Sequence, residues 1–136
     1  MQRVAIPFSD PASGKRAVAA LVRAPREAQL EVELIAMVDP LCTGKVAVFV
    51  PKATAAAQAT AAASQWLAEL GGVLDRAGLP YRTHIALGPA RRTLRHLAQR
   101  PDVARIFMAV PEATPWRSWW RHLVLRSAQP AVTVVS

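Results

Sequence analysis

The sequence predicts an α/β fold: one doubly wound, open, five-stranded parallel sheet with helices on both faces. Three observations predict it. Short apolar runs alternate with segments of helical periodicity along the chain, in the order βαβαβαβαβ. One run, 34–38, is apolar at every position, which is typical of a parallel strand covered on both faces. The 136 residues suffice for a single domain, 1–136, and not for two.

The first half of the chain supplies two strands and two helices. A strand over 3–8 is closed by Ser9, Asp10 and Pro11, and a helix over 12–24 stops before Pro25. The second strand covers 30–38. Residues 41–52 are expected to form a loop, with an extra strand over 46–50 as the alternative. A long helix follows over 53–77, with an apolar stripe and a glycine, Gly78, at its end.

The second half repeats the pattern. A strand over 81–87 alternates apolar and polar residues, and Gly88 and Pro89 lead into a helix over 90–99. A fourth strand is predicted over 105–110, then a loop over 111–115, a short helix over 117–127 and a last strand over 131–135. Right-handed crossovers place such strands in one parallel sheet.

Composition narrows the class of protein. With 52% hydrophobic and 19% charged residues the chain is expected to fold into a packed domain. The single cysteine, Cys42, predicts a reducing compartment, and we expect the cytoplasm. No apolar run approaches the length of a membrane span, and no signal peptide is recognisable.

The net charge of +8 is unevenly distributed. Residues 1–75 hold seven basic and seven acidic residues, whereas residues 76–136 hold ten arginines and only Asp102 and Glu112 as acids. Such asymmetry can mark a surface for nucleic acid or anionic lipid. Compositional drift toward arginine and alanine explains it as well, since the chain also contains 27 alanines.

Several short segments together resemble the universal stress protein family, in the family's order and over nearly the whole chain. They are 4–7 with the turn residues after it, 37–40, 87–89, 106–108 and 124–135. The resemblance implies a five-stranded parallel sheet of the adenine-nucleotide alpha-hydrolase type. It also implies a homodimer joined through the last strand, Val132 to Val135.

The resemblance also locates a nucleotide pocket and shows where this chain departs from it. Nucleotide-binding members carry a glycine pattern after the fourth strand, where backbone amides approach the phosphates. Residues 108–120 contain no glycine, and Pro111, Glu112 and Pro115 oppose phosphate binding. Members also place an aspartate at the end of strand one, where Ser9 stands here in register and Asp10 follows.

The candidate nucleotide-binding residues are therefore Ser9, Asp10, Val38 and Gly88, in a degenerate pocket. We predict that ATP binding is lost, with no cofactor; the alternative is a sensor that binds ATP or AMP with altered phosphate contacts. Arg91 and Arg92, at the start of a helix, offer a further site for a small anion, with a solvated helix face as the alternative.

No other pattern predicts catalysis or a metal. Ser13, Gly14 and Lys15 lack the first glycine of a phosphate-binding loop, and Arg16 replaces its final Ser or Thr. The three histidines, His84, His96 and His122, are too far apart in sequence to indicate a metal site. We therefore predict no enzymatic activity and no metal.

Tryptophans and arginines cluster at 116–121, and this cluster is the predicted partner surface: Trp116, Arg117, Trp119 and Arg121. Three roles are open for this cluster: packing together with a dimer contact, binding of a protein or membrane partner, and stacking of nucleic-acid bases. The resulting prediction is a non-catalytic stress-response or regulatory module that acts through homodimerisation and a protein partner. Nucleic acid and a membrane surface are the less favoured partners.

Overall fold

The computed structural model describes residues 2–24, 29–39, 52–109 and 131–135. Within them the chain forms five strands and three helices, in alternating order. The elements are β1 (Gln2–Phe8), α1 (Pro11–Arg23), β2 (Leu30–Val38), α2 (Lys52–Arg76), β3 (Tyr81–Leu87), α3 (Ala90–Gln99), β4 (Arg105–Ala109) and β5 (Ala131–Val135).

The five strands form one parallel sheet in the order β3-β2-β1-β4-β5. The chain moves outward from β1 to β2 and β3, then returns to the other side of β1 for β4 and β5. The order therefore reverses between β1 and β4, which defines a doubly wound sheet with a switch point. The predicted fold class is confirmed.

Alternate side chains of the strands pack into two separate hydrophobic cores, one on each face of the sheet. On one face, Ile6, Leu34 and Phe107 pack with residues of α1 and α2. On the other face, Ile35 and Ile106 pack with Leu94 and Leu97 of α3. Because β1, β2 and β4 are covered on both sides, their buried stretches show no polar alternation.

The strand and helix boundaries agree closely with prediction. The bounds of β2, β3, α3 and β5 are as predicted, those of β1 and β4 differ by one residue at one end, and those of α1 and α2 differ by one residue at both ends. Gly78 caps α2 as expected: its φ is +73°, and the amides of Gly78 and Leu79 donate to the carbonyls of Asp75 and Leu74 at 3.1 and 3.0 Å. The predicted helix over 117–127 lies outside the described residues. So does the predicted loop over 41–52, except for Lys52, which begins α2.

No helix among the described residues has both the length and the apolar character that crossing a bilayer requires.

Candidate functional site

The four predicted pocket residues lie at the carboxyl-terminal ends of three strands of the sheet. Ser9 and Asp10 follow β1, Val38 ends β2 and Gly88 follows β3, and these three strands are neighbours. Ligands of open parallel sheets bind at this edge, beside the point where the strand order reverses. The structure therefore brings together residues that are up to 79 positions apart in the sequence.

The switch point itself has a short backbone ladder. β1 and β4 pair only through Val4↔Arg105 and Ala5↔Ile106, whereas β1 and β2 pair from Gln2↔Leu30 to Phe8↔Ala36. Pro7, which is buried in β1, has no N–H to donate to a neighbouring strand. The β1–β4 ladder thus ends before the carboxyl ends of the two strands.

Asp10 is the N-cap of α1. Its Oδ1 accepts a hydrogen bond from the Ser13 amide at 2.8 Å, and its Oδ2 accepts one from the Ser13 hydroxyl at 2.7 Å. Such a cap satisfies an amide that the first turn of a helix leaves without a partner. Both carboxylate oxygens are therefore already bound within the chain, and Ser9 is the half-buried residue that precedes them.

Val38 and Gly88 are joined through their backbones. The Gly88 amide donates to the Val38 carbonyl at 2.9 Å, which ties the end of β2 to the turn before α3. Gly88 has a φ of +121°, a conformation that residues with a Cβ rarely adopt. A Cβ at this position would make only an ordinary contact, 3.6 Å from Nη1 of Arg92. The turn thus requires glycine for its backbone conformation and not for lack of space.

The segment that resembles a phosphate-binding loop has a packing role. Gly14 is buried in α1, and a Cβ there would lie 2.9 Å from Cδ1 of Leu70 and 3.0 Å from Cδ2 of Phe8. Lys15 is exposed and lies 3.7 Å from the Glu69 carboxylate of α2. The glycine therefore permits the close approach of α1 to Phe8 and α2.

Of the predicted partner surface and the predicted dimer contact, only the dimer contact lies within the described residues. Trp116, Arg117, Trp119 and Arg121 lie outside the described residues. Val132 to Val135 belong to β5, which is an edge strand of the sheet. Of the histidines, His84 and His96 are exposed, and His122 lies outside the described residues together with Cys42.

Sequence reasoning missed an ion-pair network at the opposite, amino-terminal edge of the sheet. Arg100 lies between two carboxylates, 2.9 Å from Glu33 and 2.7 Å from Asp102. Hydrogen bonds from Arg100 lower the pKa of Asp102 to about 2, and the same contacts raise the pKa of Arg100. Oε2 of Glu33 is buried and lies 2.9 Å from Nη2 of Arg100, but it accepts no hydrogen bond of good geometry among the described residues. The six members are Arg3, Glu31, Glu33, Arg82, Arg100 and Asp102.

A groove of about 530 Å³ lies between α2 and the other edge strand, β3, away from the switch point. Its lining is mostly small or apolar and includes Leu67, Tyr81 and Ile85. Burial and the neighbouring Asp75 carboxylate raise the pKa of Tyr81, whose hydroxyl lies 3.3 Å from Oδ2 of Asp75. Among the described residues no group of three His, Cys, Asp or Glu side chains is placed to hold a metal ion.

An open parallel sheet with this strand order defines the class of doubly wound, nucleotide-binding-type α/β folds. Solved structures specify the fold further. A hypothetical protein, MJ0577, is similar with a TM-score of 0.76 and 18% identity, over 98% of this chain and 94% of its own. The universal stress protein UspA from Lactobacillus plantarum is similar with a TM-score of 0.71 and 15% identity, over 99% and 97% of the two chains.

A universal stress protein family member from Arabidopsis thaliana, solved with AMP bound, is similar with a TM-score of 0.61 and 11% identity, over 99% of this chain and 91% of its own. No family model matches the sequence and no curated protein matches it. At such identities the likeness establishes the fold. This chain has the universal stress protein fold, and the resemblance seen in the sequence is confirmed at that level.

Proposed function

We propose that this protein is a non-catalytic regulatory module of the stress-response type, which acts through homodimerisation and partner binding and has lost ATP binding. The universal stress protein fold supports the class of protein. A cytoplasmic location belongs to the same proposal.

The position of Asp10 carries the proposal. Nucleotide-binding proteins of the resembled family use an aspartate at the end of strand one to accept a hydrogen bond from adenine. Here both Asp10 oxygens are held by Ser13, so turning the carboxylate toward a base would give up two hydrogen bonds and the cap of α1. Ser9, the residue in register, offers a hydroxyl in place of a carboxylate.

The sequence after β4 supports the same conclusion. A triphosphate is held in such folds by closely approaching backbone amides, which glycine permits. Residues 108–120 contain no glycine, and two prolines remove amide donors there. Glu112 adds a negative charge that opposes a polyphosphate.

The edge position of β5 supports dimerisation through Val132 to Val135. An edge strand presents backbone groups along its outer side, and a second copy of the strand can pair with them. The Trp116–Arg121 cluster is proposed as the surface for a protein partner. The predicted dimer has twice the monomer mass of 14.7 kDa.

The alternative function is an adenine-nucleotide sensor. One observation favours it: a protein of the same fold binds AMP, which has a single phosphate and makes smaller demands on a glycine loop. In this chain the backbone hydrogen bond from Gly88 to Val38 holds together the carboxyl-terminal ends of β2 and β3, where the candidate pocket lies.

Thermal unfolding with ATP and magnesium, and separately with AMP, distinguishes the two functions. A ligand that binds only the folded state stabilises it by about 2.7 kcal/mol at 100 times its Kd. We expect no rise in Tm with either nucleotide. A rise with AMP alone would establish the sensor, and a rise with ATP would refute the loss of ATP binding. Sedimentation equilibrium tests the dimer independently, and a monomer at all concentrations would refute it.

A further inference from the structure

The exposed face of α3 carries an unusual concentration of positive charge. Residues 76–101 contain six arginines and two histidines and no acidic residue. Most of α3 lies on the surface: Leu94 and Leu97 are buried in the core, and the exposed side chains are Arg91, Arg92, Arg95, His96 and Gln99. The helix is about 15 Å long, so its charges are closely spaced.

Two of the arginines on this face, Arg92 and Arg95, lack a partner among the described residues. The side chains of Arg92 and Arg95 make no ion pair or hydrogen bond in the described part of the chain. Three carboxylates at the amino-terminal end of the sheet, Glu31, Glu33 and Asp102, already pair with Arg3, Arg82 and Arg100. These three acids and three arginines balance one another, so none of these acids is left to neutralise Arg92 and Arg95.

The placement of the arginines does not help the helix. Arg91 and Arg92 lie in the first turn, where the helix dipole favours negative charge, and that turn contains no acid. Arg95 lies four residues after Arg91 and three after Arg92, and like charges at these spacings repel. Neither arrangement contributes to folding, so an external anion explains the pattern better than stability does.

We infer that the exposed face of α3 binds the phosphate backbone of a nucleic acid. The guanidinium group is suited to phosphate because it donates paired hydrogen bonds in a fixed geometry. The exposed face has no large apolar or aromatic side chain. A protein interface needs such side chains at its centre, and a membrane surface needs them for insertion. Backbone binding through counterion release needs only the charges.

This inference departs from the expectation drawn from the sequence, which favoured a protein partner. The sequence showed an excess of arginine, but only the structure shows which arginines the acids neutralise. The inference does not depend on the proposed function, since α3 binds phosphates in this scheme whether or not the crevice holds a nucleotide or β5 forms a dimer.

The test is the salt dependence of binding to a labelled DNA duplex of arbitrary sequence, measured by fluorescence anisotropy with the full chain. Two phosphate contacts, from Arg92 and Arg95, give a slope of log Kobs against log salt of about −2, so affinity falls roughly 12-fold between about 50 and 200 mM salt. Arg92→Gln with Arg95→Gln should make the slope shallower by about 2. Both residues are exposed, so the double variant is expected to fold, and its Tm and circular dichroism confirm that.

The matched control is Arg23→Gln with Arg105→Gln, which removes the same charge from exposed positions elsewhere, at the end of α1 and on the opposite face of β4. It should leave the slope of the wild type unchanged. Equal losses in the two double variants would overturn the inference, as would absence of duplex binding by the wild type at low salt. Equal binding of polyglutamate, or binding to phosphatidylserine vesicles in place of DNA, would also overturn it.

Discussion

Two glycines in helices allow a sharp test of how closely α1 approaches the core. Replacing either Gly14 or Gly72 by alanine adds one methyl group to a helix and removes the backbone freedom of glycine. The surroundings differ: a Cβ at Gly14 would lie 2.9 Å from Leu70 and 3.0 Å from Phe8, whereas a Cβ at Gly72 would lie 3.7 Å from Nη2 of Arg76. Leu70 and Phe8 are each only 2% exposed, so neither can move into solvent.

The magnitudes follow from these distances. Alanine in place of glycine within a helix stabilises it by about 0.5–1 kcal/mol when nothing else changes. Gly72→Ala should raise the free energy of unfolding by that amount, because the contact between the new methyl group and Arg76 is an ordinary van der Waals contact. Gly14→Ala gains no more than this and must also displace a buried ring and a buried methyl group, which costs about 1–3 kcal/mol. We expect the two variants to differ by about 2 kcal/mol, with Gly14→Ala the less stable.

Urea unfolding of the wild type and both variants measures the difference directly. The m-value should be the same for all three proteins, because neither change alters the surface exposed on unfolding. If Gly14→Ala were as stable as Gly72→Ala, the close packing of α1 on Phe8 and α2 would be refuted. A loss in Gly72→Ala would instead show that the second half of α2 is strained.

Three further outcomes are expected. The folded state holds the pKa of Asp102 at about 2, below the usual 3.8. The stability from its pairing with Arg100 is therefore complete above pH 4 and is lost as the pH falls toward 2. Asp102→Asn should remove this part of the acid dependence in urea unfolding curves measured at a series of pH values. Asp10→Ala should cost about 1 kcal/mol because the cap of α1 is lost, and Asp10→Asn only a part of that; equal losses in urea unfolding would contradict capping as the role of Asp10. Gly88→Ala should cost about 1–3 kcal/mol because φ is +121°, and an unchanged urea midpoint would show that the turn relaxes without strain.

The candidate site was predicted in part. The turn residues after each strand, Ser9, Asp10 and Gly88, were found from local patterns, and parallel topology places the carboxyl ends of the strands at one edge. The role of Asp10 was not found, because capping and ligand binding use the same side chain and the choice depends on where Ser13 lies in space. The sequence does contain a signal for capping: an aspartate directly before a proline that begins a helix.

The described strands and helices, and their order, were determined by the sequence alone. Each depends on residues within a few positions: the alternation of Tyr81 to Leu87, the unbroken apolar run ending at Val38, and the glycine at 78 that terminates α2. Such signals act over one turn of helix or one strand and need no knowledge of the rest of the chain.

Only the tertiary structure decided what individual polar and small residues do. The contact of Gly14 with Leu70 crosses 56 positions, and the pairing of Glu33 with Arg100 crosses 67. Ten arginines in the second half of the chain are equivalent in sequence, yet Arg100 is held between two carboxylates while Arg92 and Arg95 face solvent without one among the described residues. Close packing and charge pairing depend on distance in space, and folding alone brings these partners together.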